Sequence, residues 1–234
     1  MEFRGITIFG GVNITPPPPP APPPSIGDSY GGGYYGGTVN IFGTQYYLVV
    51  APKATGHTTS TWGSGAAFDP GFSPKSSIKG YENSAGQVAL AGTNAAASYF
   101  CRNLSIGGYN DWYLPARYEL DILFQNLAPT ASGRDTSFGI NPYSVPQRTS
   151  NRTSSVPGQT AVTIFRSGNA EAYNLTYYWS SSEGGTLPAE EGGASNGGSV
   201  GQAQMMSFEG GQVLNFPKNG GTYSVRAVRK VLAA

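Results

Sequence analysis

The sequence is short of cysteine, histidine and charge, and each shortage argues against a class of protein. Cys101 is the one cysteine among 234 residues, so no disulfide framework can form within the chain. His57 is the one histidine, which argues against a zinc site built from His and Cys ligands. Lys and Arg number 14 against 13 Asp and Glu, and the net charge of +1 provides no broad electrostatic surface for nucleic acid or an anionic membrane.

Long apolar runs are missing as well. No stretch is long and apolar enough to span a bilayer, so membrane insertion is not expected. The first fifteen residues, MEFRGITIFGGVNIT, carry an early acid and lack the apolar core of 7–15 residues that a signal peptide needs. Together with the lone cysteine, this favours folding in a reducing cytosol.

Glycine and tyrosine are abundant where charge is scarce. The chain has 34 Gly and 15 Tyr, is 38% hydrophobic, and is only 12% charged. This composition predicts short strands joined by many turns, with a surface of hydroxyl groups, amides and tyrosine rings. Rigid aromatic area mixed with adaptable polar groups is typical of binding surfaces.

Composition divides the chain into three parts: an arm (1–15), a proline-rich spacer (16–25) and a globular domain (26–234). The run PPPPPAPPP at 16–24 predicts a polyproline II rod of about 3.1 Å per residue, or roughly 28 Å in all. The arm has a mostly alternating apolar pattern that predicts a strand too short to bury itself. We therefore expect it to dock on another protein through Phe3, Ile6, Ile8, Val12 and Ile14.

Strands and two helices are predicted in the domain. The strands are expected at 34–41, 45–50, 160–166, 177–181, 205–208, 212–216 and 223–232. The first helix is expected at 84–103, and the second begins at Pro115 and buries Leu120, Leu123, Phe124 and Leu127 at helical spacing. Loops are expected at 53–80 and, rich in glycine, at 183–201.

Several side chains have a structural interpretation. Trp112 and Trp179 are expected in the core, and Cys101 as a small buried apolar group on a helix. Arg226 and Arg229 alternate with valines, which indicates hydrogen bonding to neighbouring loops. Two acids are interpreted as well: one capping or orienting the turn before the second helix and one solvated on that helix, Asp111 and Glu119.

Five blocks in fixed order carry a family resemblance: GGYNDWYLPARYELDIL, NPYSVP, YYWSSSE, FEGGQ and K-x6-VRAVR. Together they resemble the Lcl-type C-type-lectin-like domain of bacterial adhesins and of tail-associated proteins of tailed bacteriophages. The resemblance covers roughly residues 26–232. It implies an α+β fold of two helices with small, mostly antiparallel sheets and with its ends paired.

The resemblance also implies a ligand-binding face between the W-S-S block and V-R-A-V-R. Its exposed members here would be Glu183, Gln204, Ser207, Glu209, Gln212, Asn215, Lys218 and Tyr223. One departure is Gln204, which stands where relatives often have an aromatic residue.

Catalysis and cofactors are not expected. His57 has no Asp or Glu within ten residues, no nucleophile elbow is present, and Glu190–Glu191 is the only adjacent acid pair. Formylglycine-generating enzymes, which share a related fold, depend on cysteine chemistry that one cysteine on a buried helix does not favour. No metal is predicted, although calcium stays open because oxygen ligands are plentiful.

The function predicted is that of a bacteriophage virion protein, at a tail fibre or tail tip, which binds a host-surface glycan or protein. The arm would contact other virion proteins, the protein would form a homotrimer, and assembly would occur in the host cytoplasm. The alternative is a particle decoration or connector protein that uses the lectin-like fold for assembly only. The ligand, the host and the place on the particle stay open.

Overall fold

The computed structural model describes residues 25–63, 75–195 and 197–233. The predicted arm with Phe3, Ile6, Ile8, Val12 and Ile14, and the proline run at 16–24, lie outside the described residues. The structure is 22% helical and 30% strand, with mainly antiparallel sheets, which confirms the α+β prediction.

Ten strands and four α-helices order the described chain. The strands are β1 (Ser29–Tyr30), β2 (Gly33–Ile41), β3 (Thr44–Val50), β4 (His57–Ser60), β5 (Ser144–Val145), β6 (Tyr177–Glu183), β7 (Gln202–Ser207), β8 (Val213–Pro217), β9 (Tyr223–Arg226) and β10 (Val228–Leu232). The helices are α1 (Lys53–Gly56), α2 (Gly80–Ala91), α3 (Ala96–Arg102) and α4 (Arg117–Leu127). Short 3-10 helices lie at Gly92–Asn94, Thr163–Phe165 and Ala189–Glu191.

The first sheet joins the beginning and the end of the domain. Its order is β1-β2-β3-β10, β5 pairs with β2, and all of these pairs are antiparallel. Val50 of β3 lies opposite Tyr34 on one side and Val228 on the other. The first strands and the last strand therefore share one sheet.

The second sheet has the order β4-β9-β6-β7-β8. Its pairs are antiparallel except β6 with β9, where Tyr178 lies opposite Ser224 in a parallel register. The predicted strand at 177–181 and the predicted hairpin around Glu209-Gly210-Gly211 are confirmed in this sheet, as β6 and as β7 with β8.

The C-terminal strand prediction is wrong in one respect, because residues 223–232 form two strands in different sheets. Arg226 ends β9 opposite His57, and Val228 begins β10 opposite Val50. Ala227 between them donates its N–H to Gly56 and accepts a hydrogen bond from the N–H of Ala51. Both peptide groups stay paired while the chain passes from one sheet to the other.

The first predicted helix is interrupted. The structure has α2 from Gly80 and α3 to Arg102, with a 3-10 turn between them. Gly92 adopts φ +53°, a left-handed backbone that ends an α-helix. The early start depends on Gly80, where a Cβ would lie 2.3 Å from a carboxylate oxygen of Glu119.

Two further element predictions are wrong. The predicted loop at 53–80 begins with α1 and β4, because the segment after β3 turns and pairs with β9. The predicted strand at 160–166 is instead a loop with a 3-10 turn. The Thr160 hydroxyl there donates to the Asn126 carbonyl, and Phe165 is buried beside Tyr173.

The core lies around α4 and confirms the helical pattern read from the sequence. Helix α4 packs against β2 of the first sheet and β6 and β7 of the second. Leu120, Leu123 and Phe124 are buried, and the Phe124 ring meets Phe208 edge-on at 5.6 Å. A second apolar cluster holds Trp62, Trp112, Trp179 and Cys101, and burial raises the pKa of the Cys101 thiol. The predicted burial of the two tryptophans and of the cysteine is confirmed.

Glu119 is not the solvated helix charge that the sequence predicted, because it is fully buried at the first turn of α4. Its Oε2 accepts the N–H of Ala116 at 2.8 Å, and its Oε1 accepts the hydroxyl of Tyr113 at 2.9 Å. Burial raises the pKa of this carboxyl to about 7, against the opposing effects of Lys230 and the two hydrogen bonds.

The two arginines of the C-terminal segment are buried and confirm their structural interpretation. Arg226 donates to the Ala51 carbonyl at 2.8 Å, to the Glu171 carbonyl at 3.0 Å and to the Glu171 carboxylate at 2.5 Å. Arg229 binds the Asp111 carboxylate through two hydrogen bonds of 2.7 and 2.9 Å. Asp111 therefore orients the turn before α4 by pairing with β10.

The first prediction concerns Arg226. Substituting Arg226→Met leaves two carbonyls without their side-chain donor and the buried Glu171 carboxylate with only the Lys53 N–H and no cation. We therefore expect the free energy of unfolding to fall by about 3–5 kcal/mol. The matched control is Lys230→Met, because Lys230 pairs with Glu82, a carboxylate that is partly exposed to solvent. We expect about 0–1 kcal/mol for it. Urea unfolding of both variants measures the difference, and equal losses would contradict the role assigned to Arg226.

The second prediction concerns Glu119. The folded protein binds the proton more tightly than the unfolded chain, whose carboxyl has the ordinary pKa of 4.5. The resulting stabilisation is complete below pH 4.5 and is lost as the pH rises through about 7. We expect the stability of the native protein relative to Glu119→Gln to decrease over that range.

The relative measurement removes the contribution of His57. The pKa of His57 is lowered from 6.5 to about 4, so its contribution to stability increases as the pH rises between these values, opposite to that of Glu119. This contribution is the same in both proteins and cancels in the difference. Unfolding curves across the range give the difference. A difference that does not change with pH would show that Glu119 has an ordinary pKa.

Candidate binding face

The eight residues that the resemblance assigned to a ligand all lie on or beside the second sheet, but they do not form one surface. Ser207, Glu209 and Gln212 lie together at the turn between β7 and β8. Tyr223 begins β9 in an aromatic group. The other four lie elsewhere on the sheet. Glu183 ends β6, Gln204 and Asn215 are paired within β7 and β8, and Lys218 follows β8.

All eight were expected to be exposed, but four of them are buried. Glu183 is 0% exposed, Gln204 3%, Lys218 4% and Ser207 7%. Gln204 follows Ala203 on β7 between two apolar clusters, and its carbonyl accepts the hydroxyl of Ser180 at 2.8 Å. The glutamine that stands here in place of an aromatic residue is therefore inside the protein and not on its surface.

Lys218 and Glu183 form a buried ion pair. The Lys218 Nζ donates to Glu183 Oε2 at 3.0 Å and lies 4.9 Å from the centre of the Trp62 ring. The Lys218 carbonyl accepts the N–H groups of Trp62 and Gly63, which enclose it from the other side. This lysine therefore stabilises the end of the sheet, and its charge is closed to a large ligand.

The predicted loop at 183–201 lies against this end of the sheet. Asn215 contacts it, since a Cβ at Gly198 would lie 2.8 Å from the Asn215 side chain. The loop is attached through its two acids. Glu191 accepts the N–H of Ser77 at 2.9 Å and the hydroxyls of Ser76 and Ser77, and Glu190 pairs with Lys79 at 2.5 Å.

The opposite end of the second sheet is open. Ser207, Glu209 and Gln212 border a cleft of about 710 Å³, whose other wall is the loop at 130–135 and the residues that lead into β6. Glu209 is exposed, and no described residue donates a hydrogen bond to its carboxylate. We call this depression the cleft.

Two residues that the sequence did not single out give the cleft its second wall. Arg134 is fixed there by hydrogen bonds of 2.8 Å to the carbonyls of Pro157 and Glu209. Asp135 follows it, donates its N–H to the Gly210 carbonyl at 2.9 Å and accepts the N–H of Ser137. They lie in a loop far from the β7–β8 turn in sequence, so no local pattern connects them to the site.

An aromatic patch of Tyr177, Phe216 and Tyr223 adjoins the cleft. The rings of Phe216 and Tyr223 are 5.3 Å apart, and Tyr223 covers the buried Trp179 at the same distance. The Tyr177 hydroxyl donates to Gln212 Oε1 at 2.6 Å, which joins the patch to the cleft. Strand alternation was the signal for Tyr177, because its neighbour Tyr178 is fully buried.

His57 takes part in a hydrogen-bonded contact between β4 and β9. Its Nε2 lies 3.3 Å from the Ser224 hydroxyl and 3.4 Å from Asn174 Nδ2. Burial, followed by the charges of Arg226 and Lys53, lowers the pKa of His57 to about 4. Ser224 is buried, so this pair offers no nucleophile to a substrate in solution. That the chain is not an enzyme stays a prediction.

Among residues 25–63, 75–195 and 197–233, no three His, Cys, Asp or Glu side chains are grouped to hold a metal ion. The absence of a cofactor stays a prediction, and calcium binding stays open. In the same parts of the chain, no helix has the length and apolar character needed to cross a membrane.

Comparison of the chain with models of protein families, with curated proteins and with solved structures finds no match. The interpretation of the face therefore depends on its own geometry and chemistry. The Lcl-type resemblance stays a prediction that the five sequence blocks support.

The third prediction tests the burial of Lys218. An amine-reactive ester needs an accessible, deprotonated amine, and the Lys218 side chain is 5% exposed whereas that of Lys79 is 25% exposed. We expect Lys218 to react about tenfold or more slowly than Lys79, because it becomes reachable only after local opening. Peptide mass spectrometry at several reaction times measures both rates. Equal rates would mean that Lys218 belongs to the open surface after all.

Proposed function

We propose that this chain is a structural protein of a tailed-bacteriophage virion, on a tail fibre or tail tip, and that it binds a host-surface glycan through the cleft and the aromatic patch. A host-surface protein is the second ligand class that the same face fits. The observation that carries the proposal is the open cleft beside the half-buried rings of the aromatic patch, with Glu209, Asp135 and Arg134 at its border.

The chemistry of this face suits a saccharide. Carboxylates and amides exchange hydrogen bonds with sugar hydroxyls, and here they are supplied by Glu209, Asp135 and Gln212. The Tyr223 ring is positioned by Phe216 and Trp179, and such a ring offers a flat apolar area on which a sugar can stack. A site of few polar groups on a rigid scaffold is how proteins recognise small ligands.

The lectin-like assignment is part of the proposal. It is supported by the α+β architecture, by the sharing of one sheet between the first strands and the last strand, and by the ordered sequence blocks. Under this assignment the chain is an Lcl-type C-type-lectin-like protein, and the ligand lies between the W-S-S block and V-R-A-V-R. The face proposed here keeps Glu209, Gln212 and Tyr223 from that set, and gains Tyr177 and Asp135.

The remaining partners are proposed from the sequence of the arm and the spacer. We propose that the arm attaches to other virion proteins, that the spacer holds the domain away from them and that three copies associate. Apolar residues in the arm and the low charge of the chain support this assignment. Assembly would occur in the host cytoplasm, with neither nucleic acid nor membrane as a partner.

A connector or decoration protein is the second candidate, and one observation favours it. Four of the eight residues assigned to a ligand are buried against the protein's own chain, as expected if the fold is kept for packing. Such a protein would bind neither glycans nor host cells. The two candidates therefore differ in one measurable property.

The fourth prediction concerns binding by the full-length protein to a glycan array and to candidate host cells. We expect Glu209→Ala and Gln212→Ala each to weaken binding by about tenfold, equivalent to about 1.4 kcal/mol. Gln45→Ala is the matched control, because Gln45 is an exposed glutamine on β3 of the first sheet. It should bind like the native protein.

Two outcomes would contradict the proposal. If the native protein binds neither the array nor cells, the connector function is favoured. If it binds and both cleft variants bind equally well, the ligand occupies another surface. Circular dichroism of each variant checks that the substitutions leave the fold unchanged.

A further inference from the structure

A groove runs along one side of α4, on a surface that the proposed function does not use. It consists of three adjoining depressions of about 230, 300 and 540 Å³. Gln125 on α4 borders all three, Asn126 borders two of them, and Arg148 and Val156 each connect a pair. The depressions are therefore parts of one continuous groove.

The groove exposes apolar side chains. Val145 is 38% exposed and Val156 53% exposed, and each is followed by a proline that also borders the groove. Ile122 of α4 forms part of its floor. Burying exposed apolar area lowers the free energy, so neighbouring exposed apolar side chains mark a surface that a partner can cover favourably.

The described chain begins inside this groove. Ser25 and Ile26 border its largest depression, together with Val162. Their position is fixed, because the Gly27 N–H donates to the Tyr35 carbonyl at 2.8 Å and a Cβ at Gly27 would lie 2.3 Å from Val162. The residues that precede Ser25 are PPPPPAPPP, eight prolines and one alanine.

A proline segment has the properties that this groove would recognise. It presents pyrrolidine rings for apolar contact and carbonyls for hydrogen bonds, and it loses little conformational entropy on binding. Gln125 accepts a hydrogen bond from Arg148 through Oε1, and no described residue accepts one from its amide N–H groups. Those N–H groups are available to the carbonyls of a docked segment.

Length and connection point to the chain's own proline segment as the occupant. Nine residues of polyproline II extend about 28 Å at about 3.1 Å per residue, whereas an eleven-residue helix is about 16 Å long. The segment is thus long enough to follow α4 from the end where Ser25 lies. A tethered segment also has an effective concentration in the millimolar range, so weak contacts suffice to dock it.

We propose that residues 16–24 bind in this groove of the same chain, against Val145, Val156 and Gln125. The proline run then acts as a strap that fixes the direction in which residues 1–15 leave the domain, and the arm and the binding face become parts of one rigid unit. The proposal is independent of the proposed ligand, because the groove shares no lining residue with the cleft.

Photo-crosslinking of the full chain tests this proposal. Ala21, the one residue of the run that is not proline, is replaced by p-benzoylphenylalanine, and crosslinked peptides of monomeric mass are identified by mass spectrometry. We expect crosslinks to Gln125 or Asn126, or to the segments 145–148 and 156–162.

A pair of matched variants makes the test specific. Val156→Asp places a carboxylate against the prolines and should lower the crosslink yield by about tenfold, because a charge loses hydration on apolar contact. Leu90→Asp is the control, since Leu90 is 56% exposed on α2 and borders none of the three depressions. Its yield should equal that of the unsubstituted chain.

Three results would overturn the proposal: crosslinks found only in covalent dimers, crosslinks spread over the surface, or equal yields in the two aspartate variants. The first would assign the groove to a second copy of the chain. Failure of the glycan-binding experiment would leave the strap untouched, because the crosslink needs no ligand.

Discussion

The two sheets are joined at Ala227, where the two neighbouring peptide groups both form backbone hydrogen bonds. The chain can pass from β9 to β10 only if the backbone polar groups at the crossing stay paired, since unpaired buried groups are costly. Gly56 and Ala51 supply these partners, and each lies at a junction of its own, beside β4 and after β3. The arginines on the two sides of the crossing complete the connection: Arg226 reaches back to Ala51, and Arg229 reaches the turn before α4.

This arrangement explains how the protein uses its few charges. Buried ion pairs take up Glu171 and Glu183, a partly exposed pair takes up Asp111, and Asp121 pairs with both Arg148 and Arg152. A buried charge left without its partner would be strongly destabilising, so these charges are committed to the fold. Glu209 and Asp135 are among the acids left outside such pairs, and both border the cleft. The two carboxylates at the border of the cleft therefore form no ion pair with another described residue.

Local patterns in the sequence predicted the elements whose signal is short in range. The apolar spacing of Leu120, Leu123 and Phe124 predicted α4, and the segment 177–181 was predicted as the strand that the structure shows as β6. Contacts between distant residues decided the rest. From sequence alone, Glu119 was predicted as a surface charge, but in the folded chain Gly80 packs against it. Residues 223–232 were predicted as one strand, but they pair in two different sheets on either side of Ala227. The cleft could not be predicted for the same reason, because Arg134 and Glu209 meet only in the folded chain.

Helix α4 separates the candidate face from the groove and also couples them. Arg134 at the cleft and Arg152 at the groove both stack on the Phe124 ring, 5.1 and 4.9 Å from its centre. Phe124 is itself packed against Phe208, next to the turn that carries Glu209. Closely packed cores transmit displacements because they have little free volume to absorb them. A force applied at the groove would therefore reach the cleft through a closely packed core, and the proposed display of a binding face requires this property.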